Sequence, residues 1–511
     1  MRKRIGLLLL IPLFVLGTQA QINYEMRYTV GLDTVGHYLN VRLDYTAQEE
    51  NASDELVLNM PVLTPGYYEI LNFPKHLCDF DAKDAQGQAL TWRKDGMNRW
   101  RITLNGHRQL QVTYRIYAKH RDVALSRVER DLAFIAPAGV FMYVDGEIAH
   151  PVTVSFDMPS NWQHISTGMK PHAGDDKTFT VPDFDVLYDS PLLLGNHYVS
   201  QFDHEGHAYE FALETPEGVE KIGLERDFRQ IVSAATRMMG DVPYDNYSLI
   251  HMTAEDGRLE GLEHFNSQVC YTDGTYRFAS RKMHVKFLGF IVHEYFHLYN
   301  VKCIRPAELW PIDYNKEALT PMLWVSEGLT CYYESRLLRN AGIVTPDESL
   351  EELSTYFQLY APYEGQRHMS LRQSSYDIWL DSMNDDDNFR DVRISYYFKG
   401  SIIGLLFDID IRRKTGQRHS LDDVMRLLYN RYYKELHRGF TEEEFWAVAE
   451  EVAGQPMTEI RRFVDTTAEI DYDSYLHDAG LYIDSKDYSI RRITHPNAQQ
   501  EAFLRAMNLY E

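Results

Sequence analysis

Two histidines four residues apart constrain this chain more than any other feature. His293 and His297 lie in the segment 287–298 (FLGFIVHEYFHL), whose apolar residues recur at helical spacing. Residues four apart share one face of a helix, so both imidazoles can bind a single metal ion. Glu294 follows the first histidine and can act as a base towards water at that ion. The pattern predicts a metal-dependent hydrolase, and two packed core histidines are the alternative.

Zinc held by two histidines needs a third protein ligand and one open position. Glu327 is the candidate, because it lies in the apolar run 323–330 (LWVSEGLT) on the next predicted helix. A solvated glutamate is not expected in such a run. Glu334, about two helical turns further along, is the weaker alternative. We therefore expect one Zn²⁺ per chain.

The chain divides into two regions of different pattern. Residues 21 to about 200 predict an all-β, sandwich-like domain, because apolar and polar residues alternate between recurrent turn signals. Beyond about residue 215 a mixed domain begins and becomes mostly helical. Its predicted strands cover 247–253 and 262–271. Its predicted helices cover 224–239, 283–302, 322–340, 396–414, 420–436, 441–453 and 457–465.

Residues 1–20 form a separate unit. A basic start, an apolar run over 5–16 and small residues before position 21 are typical of a secretory signal peptide. The run is too short to span a bilayer, although a membrane anchor is the alternative. We therefore expect an exported protein, periplasmic or secreted, without a stable membrane span after cleavage.

The net charge limits the binding partners that the chain can have. The chain has 52 basic and 75 acidic side chains, a formal net charge of −23, which disfavours binding to nucleic acids and anionic membranes.

Two further sequence features leave alternatives open. Cys270, Cys303 and Cys331 allow one disulfide, with buried free thiols as the alternative. The acidic run 381–387 is interpreted as a solvated loop, with a calcium site as the alternative.

Several motifs point to one family. The stretch 293–306 (HEYFHLYNVKCIRP) resembles the signature of the glycyl aminopeptidase family, gluzincin metallopeptidases related to aminopeptidase N. Segments that resemble other family motifs follow the expected order: 64–68 (TPGYY), 261–267 (GLEHFNS), 324–330 (WVSEGLT) and 395–400 (SYYFKG). The resemblance runs from about residue 25 to 482. Cys303, where a basic residue is common, and Glu260, where glycine is usual, depart from the family pattern.

The resemblance implies a multidomain architecture. A β domain at 21–210 would precede a thermolysin-like, α+β but mostly helical catalytic domain at 211–482. A short tail at 483–511 leaves no room for the PDZ domain that the family usually carries.

The resemblance also implies roles for particular residues. Zinc would be bound by His293, His297 and Glu327, with Glu294 as the general base. Further roles follow by motif position: Glu263 would hold a substrate's free amine, Gly261 and Leu262 would border the substrate, and Tyr397 would stabilise the oxyanion.

The expected function is hydrolysis of the N-terminal peptide bond of peptides with a free N-terminus. The family name suggests glycine or alanine at the cleaved position. A zinc endopeptidase with the same metal site is one alternative, and only the role of Glu263 separates the two. An exported, catalytically silent binding protein is the other, and the intact set of site residues argues against it.

Overall fold

The computed structural model describes residues 25–47, 53–215, 223–254, 258–273, 280–380 and 389–510. The predicted signal peptide and the acidic run 381–387 lie outside these residues. Within the described ranges, no helix combines the length and the apolar character needed to cross a bilayer.

Three sheets form the described residues of the N-terminal part. Alternation explains the strands: Leu39, Val41 and Leu43 are buried on one face of Tyr38–Thr46, and the residues between them reach solvent. The largest sheet contains, in spatial order, Pro171–His172, Asp175–Val181, Val152–Asp157, Glu25–Asp33, Tyr38–Thr46, Gln109–Tyr117 and Leu77–Asp84. The second sheet contains, in spatial order, Tyr143–Val144, Glu55–Asn59, Arg99–Thr103 and Trp92–Lys94. The third contains His164–Thr167, Leu192–Gly195, Leu132–Ile135 and Arg127–Val128.

A five-stranded sheet joins the two parts of the chain. Its spatial order is Tyr198–His204, His207–Leu213, Asn246–Ala254, Ser267–Asp273 and Leu259–Glu263. The domain boundary predicted at residue 210 falls inside its second strand, which pairs in parallel with Asn246–Ala254. The sheet of the catalytic part therefore includes a hairpin that begins before the predicted boundary and ends after it.

The single strand predicted over 262–271 is wrong. The chain forms two antiparallel strands, Leu259–Glu263 and Ser267–Asp273, with Glu263 opposite Gln268. The turn between them is held from outside, since the backbone N–H of Phe265 donates to Asp189 at 2.8 Å. Glu263 therefore ends the outermost strand of the sheet and does not begin a long one.

Helices dominate the rest of the chain. The long α-helices are Leu224–Met239, Arg281–Phe296, Leu329–Asn340, Pro346–Tyr360, Tyr396–Thr415 and Glu442–Ala453. Shorter ones are Phe184–Tyr188, Leu371–Tyr376, Phe389–Val392, Leu421–Leu428, Thr458–Asp465, Tyr472–Leu476 and Ala498–Ala506.

Two predicted helices change their winding. The helix predicted over 322–340 begins as a π-helical turn, Trp324–Gly328, before it continues as Leu329–Asn340. The helix predicted over 420–436 is α-helical only over Leu421–Leu428 and π-helical over Tyr429–Glu435. Hydrophobic periodicity cannot separate these helix types over so few residues.

The end of the sequence packs onto the helical domain. A small hairpin, Leu481–Ile483 with Ile490–Arg492, precedes the helix Ala498–Ala506, whose Phe503 and Leu504 are buried in the main helical core. The tail predicted from residue 483 therefore begins inside this hairpin.

The cores of the β domain and of the helical domain each bury a tyrosine side chain from the other domain. Tyr68, from a loop of the β domain, is buried in the helical core, and Tyr314, from the catalytic part, is buried in the β core. The hydroxyl of Tyr314 donates to Asp185 at 2.7 Å. This exchange fixes the loop around Tyr68 against the catalytic residues.

Candidate metal centre and substrate cleft

One helix carries both histidines of the metal motif. The helix Arg281–Phe296 begins at Ser280, whose side chain accepts from the backbone N–H of Met283, and it ends one residue before His297. The prediction of a helix to residue 302 is therefore too long. The chain turns instead, with the N–H of Lys302 donating to the carbonyl of His297 at 3.0 Å. His297 keeps helical backbone angles, so its ring stays on the face of His293, and the two ring centroids are 4.6 Å apart.

Glu327 lies in the π-helical turn that faces this helix. Such turns are frequent at functional sites. Asn300 holds the turn in place, since its side-chain amide donates to the carbonyl oxygens of Val325 and Ser326. Burial alone would raise the pKa of Glu327, but His297 and His293 hold it well below its usual value. A lowered pKa favours the ionised carboxylate, which is the form that binds a cation.

The spacing of three donor atoms fits a zinc ion. Oε2 of Glu327 lies 3.4 Å from Nε2 of His293 and 3.2 Å from Nε2 of His297. Two ligands of tetrahedral zinc, each about 2.1 Å from the metal, lie about 3.4 Å from one another. Two imidazoles and one carboxylate are also the donor set of known catalytic zinc sites. These three residues would hold the metal.

The outer nitrogen of each imidazole is already engaged. Nδ1 of His293 lies 2.6 Å from Oε1 of Glu334, and Nδ1 of His297 lies 2.8 Å from the carbonyl oxygen of Asn300. Both acceptors favour a proton on Nδ1, which leaves Nε2 free to bind metal. Glu334, the weaker candidate ligand, therefore stands behind a histidine of this donor set, and Tyr356 donates to its second oxygen at 2.7 Å.

Glu294 lies beside the metal position on the side of the strand Leu259–Glu263. A β-carbon at Gly261 would overlap the carboxylate of Glu294, so glycine at this point of the strand leaves the space that this side chain occupies. Burial raises the pKa of Glu294 to about 7, against the opposing effect of His293 and His297. A carboxylate whose pKa is near neutrality is suited to accept and return a proton.

Glu263 joins the same cluster from the end of that strand. Its carboxylate, that of Glu294 and a ring nitrogen of His297 lie within 4.8 Å of one another. Glu263 is 4% exposed, so its charge has little contact with water. The strand is the last one of its sheet in the described part of the chain, and a peptide backbone can pair along such an edge.

Strand alternation separates the neighbours of Glu263. Glu260 and Leu262 point to the face opposite Gly261 and Glu263, and Leu262 is buried in the core of the β domain. Leu262 can therefore meet a substrate only through its backbone. Arg258 donates to Glu260 at 3.0 Å, on that opposite face.

Two glycines bring Tyr397 to the metal centre. A β-carbon on Gly328 would lie 2.5 Å from the α-carbon of Gly400, so the two backbones meet at a distance that only glycine permits. The close contact places the start of the helix Tyr396–Thr415 beside the turn that carries Glu327. The ring of Tyr397 lies 6.3 Å from that of His293, centroid to centroid. Tyr397 is part-exposed, whereas Tyr396 is buried.

The four cysteines are free thiols in the structure. Cys270, Cys303 and Cys331 are buried, and none of them pairs with another. The sulfur of Cys331 lies 3.8 Å from Nδ1 of His293. Burial raises the pKa of Cys331 to about 12, so the thiol stays protonated beside the histidine.

Three further contacts of the site were not predicted from the sequence. The hydroxyl of Tyr68, in the segment 64–68 that carries the family resemblance, donates to Oε1 of Glu327 at 2.6 Å. Asp189, from the end of the β domain, accepts from Lys302 at 2.8 Å and contacts His264 at 3.1 Å. All three contacts join residues more than 70 positions apart, and local patterns in a single sequence do not reveal them.

Comparison with known proteins decides the family. A model of the peptidase M61 N-terminal domain matches residues 27–196, and a model of the M61 glycyl aminopeptidase domain matches residues 286–403, together more than half of the chain. The chain belongs to the M61 glycyl aminopeptidase family. The predicted family is thereby confirmed, and membership makes the chain an M61 metallopeptidase. No curated protein matches the chain in sequence.

Solved structures share the fold of this M61 chain. An aminopeptidase N family protein from Idiomarina loihiensis is similar with a TM-score of 0.84 at 24% identity, over 90% of this chain and 79% of that one. An M1 zinc metallopeptidase from Deinococcus radiodurans reaches 0.51 at 14% identity, over 88% and 94%. Legionella pneumophila aminopeptidase A, in complex with aspartic acid, reaches 0.52 at 13% identity, over 87% and 49%. The predicted fold class, a β-rich domain before a mostly helical catalytic domain, is confirmed.

Proposed function

We propose that this protein is an exported zinc aminopeptidase that removes single residues from the free N-terminus of peptides. The observation that carries the proposal is the position of Glu263. Its buried carboxylate stands within 4.8 Å of a donor atom of Glu294 and of His297, at the end of an edge strand. A fixed negative charge there binds a substrate ammonium one residue before the scissile bond and stops the chain from entering further.

The remaining residues fit the chemistry of peptide hydrolysis. His293, His297 and Glu327 would hold the zinc ion, which when bound would act as a Lewis acid and lower the pKa of water towards neutrality. Glu294 takes the proton of the attacking water and later returns it to the leaving amine. Tyr397 donates a hydrogen bond to the oxyanion that develops at the carbonyl carbon. The family name favours glycine or alanine as the released residue.

The test of this proposal begins with the metal and the base. The purified protein should contain one zinc per chain and hydrolyse aminoacyl reporters, and a chelator should abolish that hydrolysis. Glu294→Gln should keep zinc but lose several orders of magnitude in kcat, because an amide accepts no proton. Near-normal turnover by the zinc-loaded variant would contradict the assignment of the base.

The products of a free peptide then distinguish the classes of peptidase. With a peptide such as Ala-Gly-Phe-Leu, mass spectrometry at early times should show alanine and the tripeptide that remains. Internal fragments that appear first would identify an endopeptidase, and no cleavage of any peptide would identify a silent binding protein.

A further inference from the structure

One loop of the β domain reaches the centre of the catalytic domain. Tyr68 is 3% exposed and is packed in the hydrophobic core of the helical domain, although it belongs to the N-terminal part of the chain. Its hydroxyl donates to Oε1 of Glu327 at 2.6 Å, across 259 positions of sequence.

Both oxygens of the Glu327 carboxylate therefore have a contact. Oε2 faces Nε2 of His293 and of His297, where the metal would lie, and Oε1 accepts from Tyr68. A carboxylate that is held through one oxygen presents the other in a fixed direction. Such outer contacts orient ligands and contribute to metal affinity.

The backbone of Tyr68 is strained in a way that this contact explains. Its φ angle of 46° lies in the left-handed region, which is uncommon for a bulky residue. A residue stays in that region only when its surroundings determine its position, and such residues cluster at functional sites. The two neighbouring tyrosines diverge: Tyr67 donates to Asp122 of the β domain at 3.1 Å, and Tyr68 turns to Glu327.

The same loop also contacts the residue proposed to bind the amine. Gly66 has a φ of 88°, and a β-carbon there would lie 2.5 Å from Oε1 of Glu263. The loop 64–68 is thus packed against the carboxylates of both Glu327 and Glu263. A single segment of the β domain therefore borders the metal position and the amine position.

We propose that Tyr68 is a positioning residue of the metal centre, through which the β domain orients the third zinc ligand. The inference rests on the proposed function, since it takes Glu327 as a zinc ligand. It goes further, because all three proposed metal ligands lie in the catalytic domain. The inference gives the N-terminal domain a role in metal binding as well.

The experiment compares Tyr68→Phe with Tyr67→Phe. Each change removes one hydroxyl and keeps the ring, and only the first removes the contact with Glu327. The zinc dissociation constant is measured by competition with a chromogenic chelator, and the visible absorption spectrum is recorded for the cobalt-substituted protein. We expect about 10- to 100-fold weaker zinc binding and an altered cobalt spectrum for Tyr68→Phe, the usual effect of losing such a contact. Tyr67→Phe should match the wild type in both.

Each result has a definite meaning. Equal zinc affinity and equal cobalt spectra in the two variants would overturn the role of Tyr68, even if the wild type binds zinc and cleaves peptides. A wild type that binds no zinc would overturn the proposed function and this inference together. Thermal unfolding of the metal-free proteins is the control for packing, because a fold defect in Tyr68→Phe would lower its melting temperature without zinc. Weakened zinc binding with an unchanged melting temperature of the metal-free protein would support the positioning role. Weakened zinc binding with a lowered melting temperature and an unchanged cobalt spectrum would count against it.

Discussion

The α-carbon of Gly261 faces the carboxylate of Glu294 so closely that a β-carbon would overlap it. The strand and the helix therefore meet where Glu294, the proposed general base, requires space. This contact links Gly261 of the motif 261–267 to Glu294 of the motif 293–297. It explains on steric grounds why position 261 is a glycine.

Gly261→Ala should reduce kcat by at least tenfold, because the new methyl group displaces the Glu294 carboxylate. Zinc content should stay at the wild-type level, since the metal ligands are untouched. Gly289→Ala, in the same helix as Glu294, is the matched control, because the nearest atom of a packed neighbour, Oε2 of Glu334, would lie 3.9 Å from its β-carbon, an ordinary contact distance. Full activity of Gly261→Ala would show that Glu294 does not need its present position.

Glu334→Gln should weaken zinc binding by about 10- to 100-fold, as is usual when the partner of a ligating histidine is removed. The amide keeps the shape of the side chain but no longer holds the Nδ1 proton of His293 with a full negative charge. Tyr356→Phe, which acts on Glu334 from one contact further out, should have a smaller effect. Competition with a chelator measures both, and an unchanged affinity in Glu334→Gln would refute the role of this outer carboxylate.

Tyr397→Phe should lower kcat by about 10²- to 10³-fold, the typical cost of removing one donor to an oxyanion. KM should change little, because the charge develops only in the transition state. Tyr396→Phe should have the smaller effect, since Tyr396 is buried and Tyr397 is the part-exposed ring beside His293. Steady-state kinetics of both variants decide the matter, and the reverse ranking would move the role to Tyr396.

Asp189 should make folding sensitive to acid. Burial raises its pKa, but Lys302 and His264 outweigh that effect and lower the pKa to about 2. A lowered pKa in the folded state stabilises the protein above about pH 4, and this contribution is lost as the pH falls towards 2. The contribution is on the order of 2 kcal/mol.

Asp189→Asn should therefore show a smaller loss of unfolding free energy between pH 4 and pH 2 than the wild type. Denaturant unfolding of metal-free protein measures it, so that release of zinc does not contribute. Asp245→Asn is the control, because the ion pair of Asp245 with Lys170 is exposed and should contribute little. Equal pH dependence of Asp189→Asn and the wild type would contradict the interpretation.

The sequence alone predicts the metal centre because its parts are local. His293 and His297 share a helix, and Glu327 stands out as a charge in an apolar run. It does not predict the turn between Glu263 and Gln268, because His264-Phe265-Asn266 contains neither glycine nor proline and is held by the distant Asp189. The same reason applies to Glu334 and Tyr68, whose importance depends on helix packing and domain contact. The π-helical winding at Glu327 is likewise a result of packing.

The central claim is that Glu263 binds a free amine, and one set of rates tests it most directly. The values of kcat/KM are measured for alanyl reporters with a free amine and for their N-acetylated forms, with the wild type and with Glu263→Gln. We predict that the wild type cleaves only the free-amine form, and that Glu263→Gln loses most of that activity with raised KM and intact zinc, because a charged pair in a closed site is removed. Equal cleavage of blocked and free substrates by the wild type would contradict the account and identify an endopeptidase.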